Sequence, residues 1–143
     1  MKDPPLFALL NEVSIIEHLA RNRLERALPD GLRASHFVVL NHLTRLGDGR
    51  SLARIARAVQ VERPAMTNTI QKLAARPKDG RGKRVFLTEA GRAARAAAVA
   101  VAEAAIAPVA PDITAEQIDA ALPLLRRLRA ALDAAREAEP DRG

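Results

Sequence analysis

The 143-residue sequence predicts a mainly α-helical protein in which a small helix-turn-helix lobe with one short β element lies between long terminal helices. Three observations carry that expectation. Hydrophobic residues make up 48% of the chain but only three are aromatic, all Phe, so the apolar supply is Ala, Leu, Val and Ile, which suits closely packed helices. Apolar residues recur at steps of three and four in successive segments, the period of a helix with one buried face. The excess positive charge is confined to one stretch. Residues 54–84 hold nine Lys or Arg against two acids, whereas the remainder holds 14 basic and 15 acidic residues within a net charge of +6. A surplus so localised marks a face for a polyanion.

The elements follow in order. Residues 6–28 read as a helix, with Leu6, Leu9, Leu10, Val13, Ile16 and Ala20 as its stripe, two prolines before it and the turn "LPDG" after it. A second helix, residues 35–46, carries Phe37, Leu40 and Leu43 and stops at "GDG". Ser51 suits the N-cap of a third, which lines up Leu52, Ile55, Ala56 and Val59. After a short connection at residues 60–63, Pro64 opens a fourth helix, residues 64–75, where its missing N–H costs nothing. The turn "KDGRG" leads to a strand at residues 83–87, with the β-formers Val85 and Phe86. Thr88 is placed to cap an alanine-rich helix from Glu89 to about residue 107, which "PVAP" breaks. Thr114 and Gln117 have capping-box spacing at the start of a last helix whose stripe is Ile118, Leu122, Leu125, Leu128 and Leu132. Pro123 is expected to kink that helix unless the backbone adjusts. The terminal helices carry more apolar surface than one small core can cover, so a bundle formed with a second copy of the chain is the expected solution.

Several functions are excluded or disfavoured by residue supply. Without cysteine there are no disulfides, thiolate metal sites or thiol redox chemistry. The three histidines, His18, His36 and His42, show no chelating helical spacing, so each is expected to be packed or on the surface. No glycine-rich phosphate loop follows a strand, and "DGRG" reads as a turn. We therefore expect no enzyme, no metal and no cofactor. The prolines and charges of "MKDPPLFALLNEV" do not make a signal peptide, and no run of about 18 apolar residues occurs, so a cytoplasmic protein without membrane association is expected.

The third and fourth helices have the proportions of a helix-turn-helix. At about 100° per residue, Met66, Ile70 and Leu73 of the fourth helix cluster within about 60° and must face the core. The opposite face then holds Pro64, Asn68, Gln71, Lys72 and Ala75, with Thr67 at its edge and no acid. Asn and Gln can bond bidentately to adenine in the major groove, Lys reaches guanine or phosphate, and Thr can touch a thymine methyl. In the turn that follows, Arg81, Lys83 and Arg84 present positive charge at a loop tip, where an arginine can enter a narrow minor groove. Asp79 fits among phosphates only if paired, as with an arginine that it orients.

The run Asp79-Gly-Arg-Gly-Lys-Arg-Val-Phe-Leu-Thr-Glu-Ala-Gly91 resembles the wing signature D-x-R-x-x-x-V-x-L-T-x-x-G of the MarR family of transcriptional regulators. The likeness extends back through "HFVVLNHL", "SLARIARAVQV" and "RPAMTNTIQKL". It implies a winged helix-turn-helix DNA-binding lobe with a terminal-helix dimerisation bundle, in one MarR-like domain spanning residues 1–143. The lobe would cover residues 34–91 and the dimerisation region residues 1–33 and 92–143. It further implies a homodimeric repressor on a palindromic operator in double-stranded DNA, released by a small aromatic or phenolic effector. By the same resemblance Arg81 is the wing's minor-groove arginine, Asp79 its orienting acid, and Thr67, Asn68, Gln71 and Lys72 face the groove. Arg54, Arg57, Arg63, Lys83 and Arg84 supply the surrounding positive charge. An effector pocket is expected where the first two helices meet the lobe, near His18, Arg21, His36 and Phe37. The rival reading is a winged-helix dimer that serves as a protein- or ligand-binding module with weakened DNA affinity.

Two departures from the family pattern stand out. Gln60 lies where such turns usually have Gly, and the wing is short. Only residues 74–78, one of them Pro77, separate Leu73 from Asp79, where the pattern has a full strand. Either that first strand is deleted, or about eight residues are missing between Ala74 and Lys78. The second explanation is preferred, because a strand at residues 83–87 otherwise lacks a partner.

Overall fold

A computed structural model describes residues 2–29, 32–47, 50–51, 55, 57, 74–75 and 84–139. The chain divides into two units, Met1–Ala107 and Pro108–Gly143.

The first unit opens with α1, Pro5–Ala27. Pro4 is its N-cap in an extended conformation, and Pro5 occupies the first turn, where no N–H is needed. Leu28 turns back to extended backbone, its N–H still bonded to the Leu24 carbonyl at 2.9 Å. Helix α2, Ala34–Leu46, begins with two side chains that answer free backbone N–H groups. Glu25 Oε1 accepts from Ala34 N–H at 2.8 Å, and His36 Nδ1 accepts from Arg33 N–H at 3.0 Å. Gly47 ends the helix at φ +86°, a conformation that costs glycine little and other residues much, while its N–H bonds to the Leu43 carbonyl.

Three short antiparallel strands follow: β1, Arg50–Ser51; β2, Ala74–Ala75; and β3, Arg84–Leu87. Strand β3 is central, pairing Arg50 with Val85 and Ser51 with Arg84 on one side, and Ala74 with Leu87 and Ala75 with Phe86 on the other. This corrects the expectation for the wing. The partner of β3 is not deleted, and no missing residues are needed to supply it, because Ala74 and Ala75 form it. Those alanines were expected to finish the fourth helix; pairing with β3 overrides their helical propensity. Ser51, expected as a helix cap, is extended within β1, a backbone state that an N-cap also takes.

Strand β3 alternates as a half-buried strand should, with Val85 and Leu87 inside and Phe86 partly exposed. Val85 and Leu87 join Val39, Leu40 and Leu43 of α2 and the helical residue Ile55 in one core cluster. Each such side chain contributes about 1.5–3 kcal/mol by leaving water. Helix α3, Glu89–Ile106, is capped as expected: Thr88 Oγ1 accepts from Gly91 N–H at 2.9 Å. Arg95 Nε donates to Asn41 Oδ1 at 2.9 Å, tying α3 to α2. Arg23 Nε donates to the Ala105 carbonyl at 2.8 Å, tying α1 to the last turn of α3, where helical carbonyls lack internal partners.

The second unit contains α4, Ala115–Ala138. Its capping box is complete, with Gln117 N–H donating to Thr114 Oγ1 at 3.2 Å and Thr114 N–H to Gln117 Oε1 at 2.9 Å. The Glu116 carboxyl is held below its ordinary range by its own backbone N–H and then by the Thr114 hydroxyl. Helix α4 runs unbroken through Pro123, although the Asp119 carbonyl loses its usual N–H partner there. Neither α1 nor α4 contains a buried residue. Of the stripe expected on α1, Leu9 and Ala20 are half-buried while Leu6, Leu10, Val13 and Ile16 remain exposed; on α4, Leu122, Leu125 and Leu128 are half-buried while Ile118 and Leu132 are exposed.

Candidate functional site

Two regions bear on function, the basic segment at residues 54–84 and a cavity lined by α1, α2 and α3. The described residues include two of that segment's basic residues. Arg57 is helical and exposed, close in sequence to the core residue Ile55. Arg84 opens β3, its backbone paired with Ser51. The other residues expected there, Arg54, Arg63, Thr67, Asn68, Gln71, Lys72, Asp79, Arg81 and Lys83, lie outside the described residues.

The cavity encloses about 500 Å³ between α1, the start of α2 and the last turns of α3. Its apolar wall includes Leu24 from α1, Phe37 and Val38 from α2, and Ala102 and Ile106 from α3. Its charged wall is Glu17, Arg21 and Glu25. These three come from one face of α1 because residues four apart lie about 40° apart around a helix. Arg21 Nε donates to Glu17 Oε1 at 2.7 Å, and Nη2 donates to the second oxygen. That fork holds the Glu17 carboxyl below its ordinary range and raises Arg21 in turn. Glu25 faces a different demand, accepting the N–H of the first residue of α2.

Of the four pocket residues expected from sequence, the structure brings Arg21 and Phe37 to the cavity and leaves His18 and His36 out of its lining. His18 is exposed on α1, with Nε2 at 3.2 Å from Asn22 Nδ2. His36 is buried, and its Nδ1 is used in the α2 cap. Glu17 and Glu25 were missed. Their i, i+4, i+8 spacing with Arg21 was visible, but nothing local shows that this face of α1 lines a cavity. Among the described residues, no helix is long and apolar enough to cross a membrane.

No family model matches the chain. Solved structures do. The MarR family protein Rv2887 of Mycobacterium tuberculosis, in complex with DNA, is 34% identical, with 88% of this chain and 98% of that one covered at a TM-score of 0.65. The same protein in complex with salicylic acid matches at 34% identity and a TM-score of 0.65, over 89% of this chain and 98% of that one. A MarR family regulator from Rhodococcus sp. RHA1 is 18% identical at a TM-score of 0.64, covering 96% of this chain and all of its own, and so shows likeness of fold alone. The mainly helical architecture with its small central sheet is that of the MarR winged-helix structures.

Proposed function

The chain belongs to the MarR family of transcriptional regulators, and from that premise we propose that it is a homodimeric, sequence-specific DNA-binding repressor whose hold on its operator responds to a small aromatic ligand. The observation that carries the proposal is the 34% identity spanning 98% of a relative solved with DNA. The surplus of seven positive charges in residues 54–84 supports it independently.

In this reading Asn68, Gln71, Lys72 and Thr67 meet base edges in the major groove. Arg54, Arg57, Arg63, Lys83 and Arg84 neutralise phosphates, and Arg81, oriented by Asp79, enters the adjoining minor groove. Dimerisation through the terminal helices is supported by their exposed apolar side chains. Ile16 and Leu19 of α1 are 61% and 62% exposed, and Leu124 and Leu132 of α4 are 57% and 54% exposed. Two copies joined along such surfaces would remove them from water and present two lobes to a palindrome. The cavity would hold the ligand, since it joins the helix that dimerises to the helix that carries the lobe's core.

Selection of bound duplexes from a random pool tests the proposal. One palindromic consensus with half-sites about one helical turn apart is the expected result. Recovery of unrelated sequences, with affinity that barely changes between low and physiological salt, would overturn it.

A further inference from the structure

Resting on the reading of the cavity as an effector site, we propose that its ligand is an aromatic cation, taken up by Glu25 and Glu17 rather than by Arg21, and that Glu25 transmits its binding to α2. The cavity's charged lining is two carboxylates and one guanidinium. The guanidinium is already engaged, because Arg21 spends Nε and Nη2 on both oxygens of Glu17. A ligand carboxylate that reaches the remaining donors of Arg21 joins Glu17 and Glu25, and the filled site then holds three anions against one cation. An ammonium leaves two of each sign. Glu17 and Arg21 are each 54% exposed, so solvent screens this difference, and the discrimination it sets is on the order of tenfold.

The apolar wall agrees with the ligand class. Leu24, Val38 and Ile106 offer aliphatic surface, and Phe37 adds an aromatic ring, a group that can attract a cation or pack against another ring. The volume of about 500 Å³ accommodates a bicyclic ligand.

Glu25 supplies the coupling. Its Oε1 accepts the N–H of Ala34, the first residue of α2, at 2.8 Å. Helix α2 in turn contributes Val39, Leu40 and Leu43 to the core it shares with β3 and Ile55. A cation drawn to Glu25 competes for the carboxylate that fixes the start of α2, so occupancy of the cavity acts on the helix from which the lobe is built.

The test is calorimetric titration of the full chain with three probes of matched size: naphthylmethylammonium, naphthalenemethanol and naphthoate. The ammonium is expected to bind about tenfold or more tighter than naphthoate, with the alcohol between them. Glu25→Gln, whose amide oxygen can still accept from Ala34 N–H, should weaken the ammonium about fivefold or more and leave the alcohol within about twofold. Glu17→Gln, on an exposed face, should act in the same direction and keeps the test open if Glu25→Gln does not fold. Tightest binding of naphthoate, or ammonium affinity indifferent to both substitutions, would overturn the inference about charge while the effector-site reading stands. No binding by any of the three probes would overturn both.

Discussion

The lobe and the terminal helices are made from the same aliphatic residues and use them in opposite ways. In the lobe, Leu40, Leu43, Ile55 and Val85 are at most 1% exposed. On α1 and α4 no residue is buried, and side chains as large as Leu19 and Leu124 stand more than half in water. The lobe closes its own core, with contacts that join α2, β3 and Ile55 across the sequence. The terminal helices rely largely on local devices: prolines at the start of α1, the Glu17–Arg21 pair within it, and the capping box of α4, with α1 also tied to α3 and α2 through Arg23 and Glu25. Helices that hold their shape locally yet keep their apolar faces in water are incomplete without a partner. That contrast underlies the proposal that one region recognises DNA and the other assembles the dimer.

The largest expected effect tests the first half of the contrast. Leu40 is fully buried, so Leu40→Ala should cost about 2–5 kcal/mol through lost transfer energy and the cavity left behind. Denaturant unfolding measures it, and a cost below 1 kcal/mol would mean that the lobe core is not packed as described.

The second half is tested by Ile16→Asp, which places a charge on the exposed face of α1. If that face joins two copies, removing one anchor should cost about 2 kcal/mol of association, roughly a thirtyfold rise in the dimer dissociation constant. Sedimentation at micromolar concentration should then show monomer for the variant and dimer for the parent. A parent that sediments as a monomer would remove the contrast's functional meaning. Within the monomeric variant, Leu19→Ala should change unfolding by less than about 0.5 kcal/mol, as expected for a side chain left in water.

What the sequence disclosed divides along the same line. Features set by local chemistry were legible: the Thr88 and Thr114 caps, the proline start of α1, the stop at Gly47, and the alternation of Val85, Phe86 and Leu87. Features set by pairing across the chain were not. Ala74 and Ala75 read as helix because alanine favours helix wherever nothing else intervenes, and only β3, ten or more residues away, decides otherwise. His36 looked like a ligand for an effector because a sequence does not show that its Nδ1 is claimed by Arg33 N–H. Glu25 escaped notice because its partner, Ala34 N–H, is a backbone group that every residue type carries.

Within the lobe, base reading and phosphate binding should also separate. On the selected operator Asn68→Ala is expected to cost about 1–3 kcal/mol and to relax preference at the base pair it meets. Arg84→Ala should weaken all duplexes alike and reduce the salt slope by about one. Competition between the operator and a scrambled duplex distinguishes the two. Unchanged preference in Asn68→Ala would place the reading face elsewhere.

The smallest effect probes how local the stability of α1 is. Arg21 depresses the Glu17 carboxyl chiefly by hydrogen bonding to it. A carboxyl whose folded pKa lies below its unfolded value stabilises fully above the unfolded value and loses that contribution as pH falls through the folded one. The window therefore lies below the ordinary 4.5, not near neutrality. Because both side chains are 54% exposed, water and salt screen the pair and the stability change should be small. A carboxyl-carbon NMR titration is the sensitive readout. Arg21→Gln should return Glu17 toward its ordinary pKa while the unfolding midpoint at neutral pH hardly moves. A large loss of stability at neutral pH would mean that this ion pair supports contacts beyond its own helix, as the Arg23–Ala105 and Glu25–Ala34 hydrogen bonds of α1 do.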